Sequence, residues 1–321
     1  MTNPTISLDT TRSATERAIG SRRVDVWGFV FQSILLLSLL IILAFIFVLV
    51  AQVVGDGFST LQDRNVDFLT SDLSRLPAKA GIHQAIIGTI TLAVIVAIVA
   101  FPLGIATAIY LEEYAPDNRF WRFVTLNIRN LAGVPSVVYG LLGLAVFVQL
   151  MGTDISQEGG GITGGRSVIS GGLTLAILVL PIVIITASEA LRAVPDSLRE
   201  GGYGVGATKW EVVRSLVLPN AASGILTGTV LALARAIGET APLILVGAFF
   251  GTFFTTGSQG FVDQLRGTYT ALPMVVFQWA SDSETDFKRG LAPAAILVLL
   301  AITILANMTA ILLRNHYEKK W

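Results

Sequence analysis

Cysteine is absent from this 321-residue chain, and histidine occurs only twice, at His83 and His316. The first absence excludes disulfides, thiolate metal sites and cysteine nucleophiles. The two histidines fall in unrelated segments and make no metal pair. Charge is scarce as well: Asp, Glu, Lys and Arg make up 14% of the residues, against about one quarter in an ordinary soluble domain. Basic and acidic residues number 22 each, so net charge points to no nucleic-acid partner. What fills the chain instead is apolar, with 53% hydrophobic residues and a mean hydropathy of +0.71. Long apolar runs carry the excess, which indicates a polytopic membrane protein rather than a core-rich soluble enzyme.

A window of about 19 residues picks out six spans. They are 28–52, 84–110, 132–151, 171–191, 223–250 and 292–313, the third being the weakest because Gly140 and Gly143 lower its helix propensity. The first follows Arg22 and Arg23 but is too long for a signal-peptide core and lacks a small-residue cleavage site, so it is expected to be retained. With both termini inside, the cytoplasmic segments hold fourteen Lys and Arg, among them Arg22, Arg23, Arg122, Arg129 and Lys209, against seven outside. The positive-inside rule therefore places both termini in the cytoplasm. Residues 1–25 and 314–321 become cytoplasmic tails, and 26–83 the first helix with its outer loop. In 117–133, Phe120, Phe123, Val124, Ile128 and Leu131 recur at helical spacing, with Arg122 and Arg129 elsewhere on the wheel. That pattern predicts an interfacial helix, the alternative being an extension of the third span.

Two stretches could carry chemistry. Gly160, Gly165, Arg166 and Ser167 make a G-x-x-x-x-G-R-S run that resembles a phosphate-cradling loop. The required lysine is replaced, the preceding segment is a membrane helix rather than a strand, and the topology puts the run outside, so a glycine-rich connection is the better reading. The cytoplasmic loop 194–220 is more informative. Asp196 is placed to cap a short helix ending near Gly204 or Gly206, and Thr208 with Glu211 forms a T-x-x-E capping box for a second helix that Pro219 should close. Val212, Val213, Leu216 and Val217 give that second helix an apolar surface, beside polar Lys209, Glu211 and Arg214. So long a connection suggests a docking surface, with a plain connector as the alternative.

The fifth span contains ARAIGETAP, residues 234–242. A charge at the bilayer centre costs about 2.5–3.5 kcal/mol on translocon-type scales, so intramembrane ionisable residues are functional candidates by default. Arg235 and Glu239 stand four residues apart and share one face. Gly238 lies between them, and Pro242 has no N–H for the Gly238 carbonyl, so the helix should bend or loosen there. Either the two charges form a structural pair, or Arg235 lowers the barrier for a crossing oxyanion, its planar fork matching two oxygens. Glu239 would then restrain Arg235 or accept a hydrogen bond from a phosphate hydroxyl.

Glu200, Gly206, Leu216, Leu218 and Pro219 fit the E-A-A-x-x-x-G-x9-I-x-L-P motif, with Gly201 and Gly202 in place of the alanines and Leu216 in place of the isoleucine. On this motif the chain resembles the permease subunits of ABC importers. Residues 88–115, 132–143, 207–243 and 270–282 narrow the resemblance to the phosphate-specific permeases. The fold it implies is an all-α type I importer permease with six transmembrane helices, centred on 84–313. It implies a docking role for Glu200, Gly206, Thr208, Glu211, Leu216, Leu218 and Pro219 on an ATPase. It also implies a heterodimer with a sister permease, two ATPase subunits that carry ATP and Mg, an external phosphate-binding protein, and a multi-pass place in the bacterial plasma membrane. No covalent chemistry and no cofactor on this chain are expected. The alternatives are transport of another oxyanion such as molybdate or sulfate, or a secondary transporter or channel with Arg235 and Glu239 as an ion relay.

Overall fold

A computed structural model describes residues 26–152, 161–248 and 265–317. The tail 1–25, Gly160, the last two residues of the fifth expected span and the end of the C-terminal tail lie outside the described residues. Among the described residues the regular structure is helical, with no strand. Helix α1 is Val26–Thr70. Its residues 26–52 belong to a unit of their own, an apolar helix with every side chain exposed. It runs far past the expected end at residue 52 because no proline interrupts residues 53–70. Asn65, with φ 44°, kinks it late, and the neighbouring Arg64 guanidinium donates to the carbonyls of Pro77, Ala78 and Ala80 at 3.0, 3.1 and 2.7 Å.

The second unit starts at Val53. Helix α2, His83–Ile109, ends in a π turn over Tyr110–Tyr114. Helix α3, Arg119–Ala132, is capped by Asn118 and bears the expected amphipathic pattern. Just ahead of it, hydrogen bonds and charge from Arg122 hold the Asp117 carboxyl below its ordinary range. After α3 the chain turns through 101° into α4, Ser136–Gly143, with a π-helical continuation Leu144–Leu150. The bend makes α3 a separate amphipathic helix rather than a straight extension of the third span. Helix α5 is Val168–Arg192, α6 Asp196–Gly204, α7 Lys209–Val212, α8 Leu218–Gly238, α9 Ala241–Val246, α10 Leu272–Ala280 and α11 Ala292–Tyr317. Among the described residues five stretches are long and apolar enough to cross a membrane, and the bent α3–α4 pair makes a sixth if it counts as one span.

Helix α5 is the most enclosed of these, with Leu175, Leu178, Val179 and Val183 packed against Leu92, Val96 and Ala100 of α2 and Ala232 and Ala236 of α8. Lipid tails are as apolar as leucine, so close backbone packing must hold such helices together. Gly224 and Gly228 of α8 supply it. A Cβ on Gly224 would lie 2.7 Å from the Ala190 Cβ, and one on Gly228 would overlap Thr186. Small residues four apart on α8 thus meet small residues four apart on α5.

The expected stop at Pro219 does not occur. Helix α7 passes through a π turn, Val213–Val217, straight into α8, so Lys209–Gly238 forms one 30-residue stretch. The Leu218 N–H bonds to the Val213 carbonyl in the wider i−5 register. This extra residue in the turn absorbs the lost donor and the ring of Pro219, which then sits harmlessly in the first turn of α8. Asp196 also differs from expectation: it opens α6 but caps no N–H, accepting instead from Arg199 at 3.1 Å.

The paired glycines of α6 have unequal jobs. Gly201 has open space where a Cβ would be, whereas a Cβ on Gly202 would lie 2.8 Å from Val212 and 2.9 Å from Leu216. Gly201→Ala should stabilise the purified protein by about 0.5–1 kcal/mol, through helix propensity. Gly202→Ala should lower stability by about 1 kcal/mol or more, because α6 must back away from α7. Thermal unfolding in detergent checks both, and the prediction fails if the two shifts share a sign.

Candidate functional site

Arg235 and Glu239 occupy the end of α8. Here the expected bend is a full break: α8 stops at Gly238, Glu239 is extended at φ −79° and ψ 124°, and α9 restarts at Ala241 with Pro242 in its first turn. The two charges come together, Arg235 Nε donating to Glu239 Oε1 at 3.2 Å. Arg235 is 45% exposed and Glu239 18%. Only Nε of the guanidinium is engaged among the described residues, so both Nη groups keep their donors. On the same face as Arg235 lie exposed Leu231 and Gly238.

The break sits well inside the helical bundle. Ala236, Ile237 and Leu243 line a small cavity with Leu92 and Val96 of α2 and Leu175 of α5. Leu92 and Leu175 are roughly 10–14 Å in from the starts of their helices, at 1.5 Å per residue. That is close to the middle of a hydrocarbon core about 30 Å thick. Helix α4 approaches the break through Gly140, where a Cβ would lie 2.8 Å from the Pro242 Cα. Next to it, the Tyr139 hydroxyl donates to the Leu131 carbonyl at 2.8 Å and ties down the α3–α4 bend. Both interruptions of the helical backbone therefore meet at Tyr139–Gly140. The sequence signal for this was the glycine, read only as a weak helix former.

The second group of site residues sits at the far end of the same stretch. Arg235 is 26 residues beyond Lys209, or about 39 Å along a continuous helix. The capping box is formed as expected: Glu211 N–H donates to Thr208 Oγ1, and Thr208 N–H to Glu211 Oε2 at 2.8 Å. Gly206, with φ +84°, turns the chain from α6 to α7. Glu200 and Pro219 are exposed, while Leu216 and Leu218 pack at the edge of a local core. The apolar face of the second helix, however, is not on offer to a partner. Val212, Val213 and Val217 are buried, Val212 and Val217 in a core with Ala108, Ala187, Leu191 and Val194. What projects instead is an apolar tip of Tyr203, Val205 and Trp210, beside Glu200.

Sequence reasoning also missed how this loop is fastened. Three consecutive residues of the Tyr110–Tyr114 π turn hold three different cations. Glu112 takes Arg192 of α5 in a two-bond fork at 2.6 and 2.9 Å. Glu113 takes Arg199 of α6 at 2.9 Å, with the Lys209 Nζ of α7 5.1 Å from the centre of the Tyr114 ring. Two adjacent glutamates at the inner end of an apolar span look solvated from the sequence; Glu113 is in fact 5% exposed. Nothing local announces this, because the partners are 80 and 86 residues away.

The glycine-rich run before α5 has a structural job. Ser167 caps α5 by accepting from the Ser170 N–H at 3.2 Å, and Gly164 and Gly165 take positive φ to turn into it. No ATP-binding role is needed to explain these residues.

Residues 100–321 match the family described as binding-protein-dependent transport system inner membrane component. The phosphate transport system permease protein PstA of Mycobacterium leprae (strain TN) is 35% identical over 70% of this chain and 68% of its own length. The PstA of Xylella fastidiosa (strain Temecula1 / ATCC 700964) is 33% identical over 74% and 76%. A phosphate permease PstC from Haemophilus influenzae (strain ATCC 51907 / DSM 11121 / KW20 / Rd) is 29% identical over 90% and 93%. Among solved structures, a bacterial ABC transporter involved in the import of alginate matches with a TM-score of 0.61 at 14% identity, over 92% of this chain and 99% of that one. The inward-facing MetNI methionine ABC transporter matches at 0.56 and 14%, over 74% and 98%. These two likenesses establish the type I importer permease fold. With most of its length matched by one family, and relatives above 30% identity covered over two thirds of their own length, the chain belongs to the binding-protein-dependent transport system inner membrane component family, among its PstA members.

Proposed function

We propose that the chain is one of two permease subunits of an ATP-driven phosphate importer, and that Arg235 stands on the pathway. The observation that carries this is a half-exposed guanidinium with both Nη groups unengaged among the described residues, at a backbone break deep among apolar helices. An arginine facing acyl chains would cost about 2.5–3.5 kcal/mol or more, so this face of α8 meets water or protein. Freed backbone groups at the break are tolerated where they line a polar cavity. A sister permease covering the face with Leu231, Arg235 and Gly238 encloses such a cavity between the two subunits. Glu239 holds Nε and leaves the Nη1–Nη2 edge for a ligand, which suits an oxyanion that binds by two oxygens and leaves again. The names of the curated relatives supply phosphate as the substrate.

The tip of Tyr203, Val205 and Trp210, with Glu200 beside it, is the surface we assign to an ATPase subunit, and ATP with Mg belongs to that partner. Both termini and this tip then lie in the cytoplasm, and an external phosphate-binding protein delivers the substrate from the other side. The one-piece helix from Lys209 to Gly238 joins the docking surface to the break, so tilting one end displaces the other.

Reconstitution with the sister permease, ATPase and binding protein tests the pathway. Arg235→Gln should lower labelled phosphate uptake at least tenfold while the complex still forms and hydrolyses ATP. Normal uptake would reject the role, and uptake by wild type without an ATPase would favour an ion relay. Glu239→Gln should weaken the preference for phosphate over sulfate, since an ionised carboxylate accepts from a phosphate hydroxyl more strongly than a neutral amide does; an unchanged preference sinks that part. The chain has no cysteine, so single replacements report topology. Val205→Cys should react with an impermeant maleimide only from the cytoplasmic face, and Ile162→Cys only from the outside.

A further inference from the structure

The permease reading leaves open how movement of the docking loop reaches helices that are not continuous with it. We infer that the π turn Tyr110–Tyr114 is a clamp that makes α2 move with the loop, with Glu113 as its central positioning residue. This rests on the proposal that the loop docks an ATPase.

Neighbouring side chains in a helix point in different directions around the axis, about 100° apart in an α-turn and somewhat less in a π turn, which fits more residues into each turn. Glu112, Glu113 and Tyr114 use that spread to reach α5, α6 and α7 respectively. Arg199 is the counterpart on the loop. Its Nη2 donates to Glu113 Oε1 and to the Leu191 carbonyl, both at 2.9 Å, and its Nη1 to the Val194 carbonyl at 2.7 Å and to Asp196 Oδ1 at 3.1 Å. One guanidinium thus binds the π turn after α2, the last turn of α5 with the link that follows it, and the first turn of α6. Arg199 is 17% exposed and Glu113 5%. A planar fork with this many fixed acceptors has little freedom to follow a moving loop alone. Breaking so enclosed a pair would strand a charge, so the pair is expected to persist through the cycle.

The clamp matters because α2 reaches the break as well. Leu92, Ala93 and Val96 of α2 share the small cavity with Ala236 and Ile237 of α8. From Glu113 to Leu92 is about 31 Å of helix. The loop is therefore joined to the cavity at the break by α5 and α8 through the chain itself and by α2 through Glu113. Without the tie through Glu113, a tilt of the loop would slide α8 past α2 instead of carrying these walls of the cavity together.

The test uses the full reconstituted transporter and compares wild type, Glu113→Gln, Arg199→Lys and Tyr114→Leu. The readout is phosphate imported per ATP hydrolysed. The clamp predicts that hydrolysis stays within about twofold of wild type, while the ratio falls at least fivefold for Glu113→Gln and by a smaller factor for Tyr114→Leu. Arg199→Lys keeps the charge but not the fork, and should fall between them. Spin labels on cysteines at Ser197 of α6 and Leu103 of α2, both exposed, supply a signature that loss of stability would not give. Their separation should stay constant between nucleotide-free and ATP-bound states in wild type and change between those states in Glu113→Gln. If Glu113→Gln does not assemble, exposed Tyr114→Leu decides by the same two readouts. Absence of wild-type uptake would overturn the transport reading itself. Wild-type uptake, with an unchanged ratio and unchanged separations in the variants, would overturn the clamp alone.

Discussion

A backbone group without a hydrogen-bond partner is expensive in an apolar medium, and this one constraint decides where the chain can stop being helical. Among the described residues two interruptions adjoin the third and fifth spans, at Gly133–Pro135 and at Glu239–Thr240. Each is provided for. The Tyr139 hydroxyl and the Val134 N–H both serve the Leu131 carbonyl at the first. At the second, the break lies beside a charged pair on an exposed face. Gly140 brings α4 against Pro242, so the two interruptions share one neighbourhood. A site where backbone and charge are both incompletely buried is where a polar substrate can be accommodated.

The same constraint shapes the docking end by another route. Instead of breaking, the chain widens into π turns at Tyr110–Tyr114 and Val213–Val217. The first carries three anchoring side chains on consecutive residues, and the second lets a helix run through Pro219 without a gap. What results is a loop fixed to the π turn after α2 by a charge pair, and to α5 and α8 by the chain itself. Glycines at 224 and 228 let α5 and α8 touch along their lengths, so these elements form one tightly packed frame.

Much of this could be read from the residues. The break at Gly238 and Pro242, the shared face of Arg235 and Glu239, the Thr208–Glu211 capping box and the amphipathic 117–133 helix are all local, set by spacings of three or four residues. The resemblance carried by Glu200, Gly206 and Pro219 named the right family. Other expectations failed for identifiable reasons. Pro219 reads as a stop because a π turn leaves no mark in a hydrophobic pattern. Val212, Val213 and Val217 read as an outward surface because their apolar character does not say which neighbour they cover. Gly224 and Gly228 carried a small-xxx-small spacing that went unread.

The sequence by itself determined the membrane class, the expensive charges and the points where the helix must yield. These follow from composition, solvation cost and the chemistry of glycine and proline, which need no neighbours. Only the tertiary structure decided that Glu113 is buried on Arg199, that the loop's apolar face turns inward, and that Gly140 brings the two backbone breaks together. Each of these joins segments dozens of residues apart. Burial and pairing depend on which surfaces the folded helices bring into contact, and no local spacing records that.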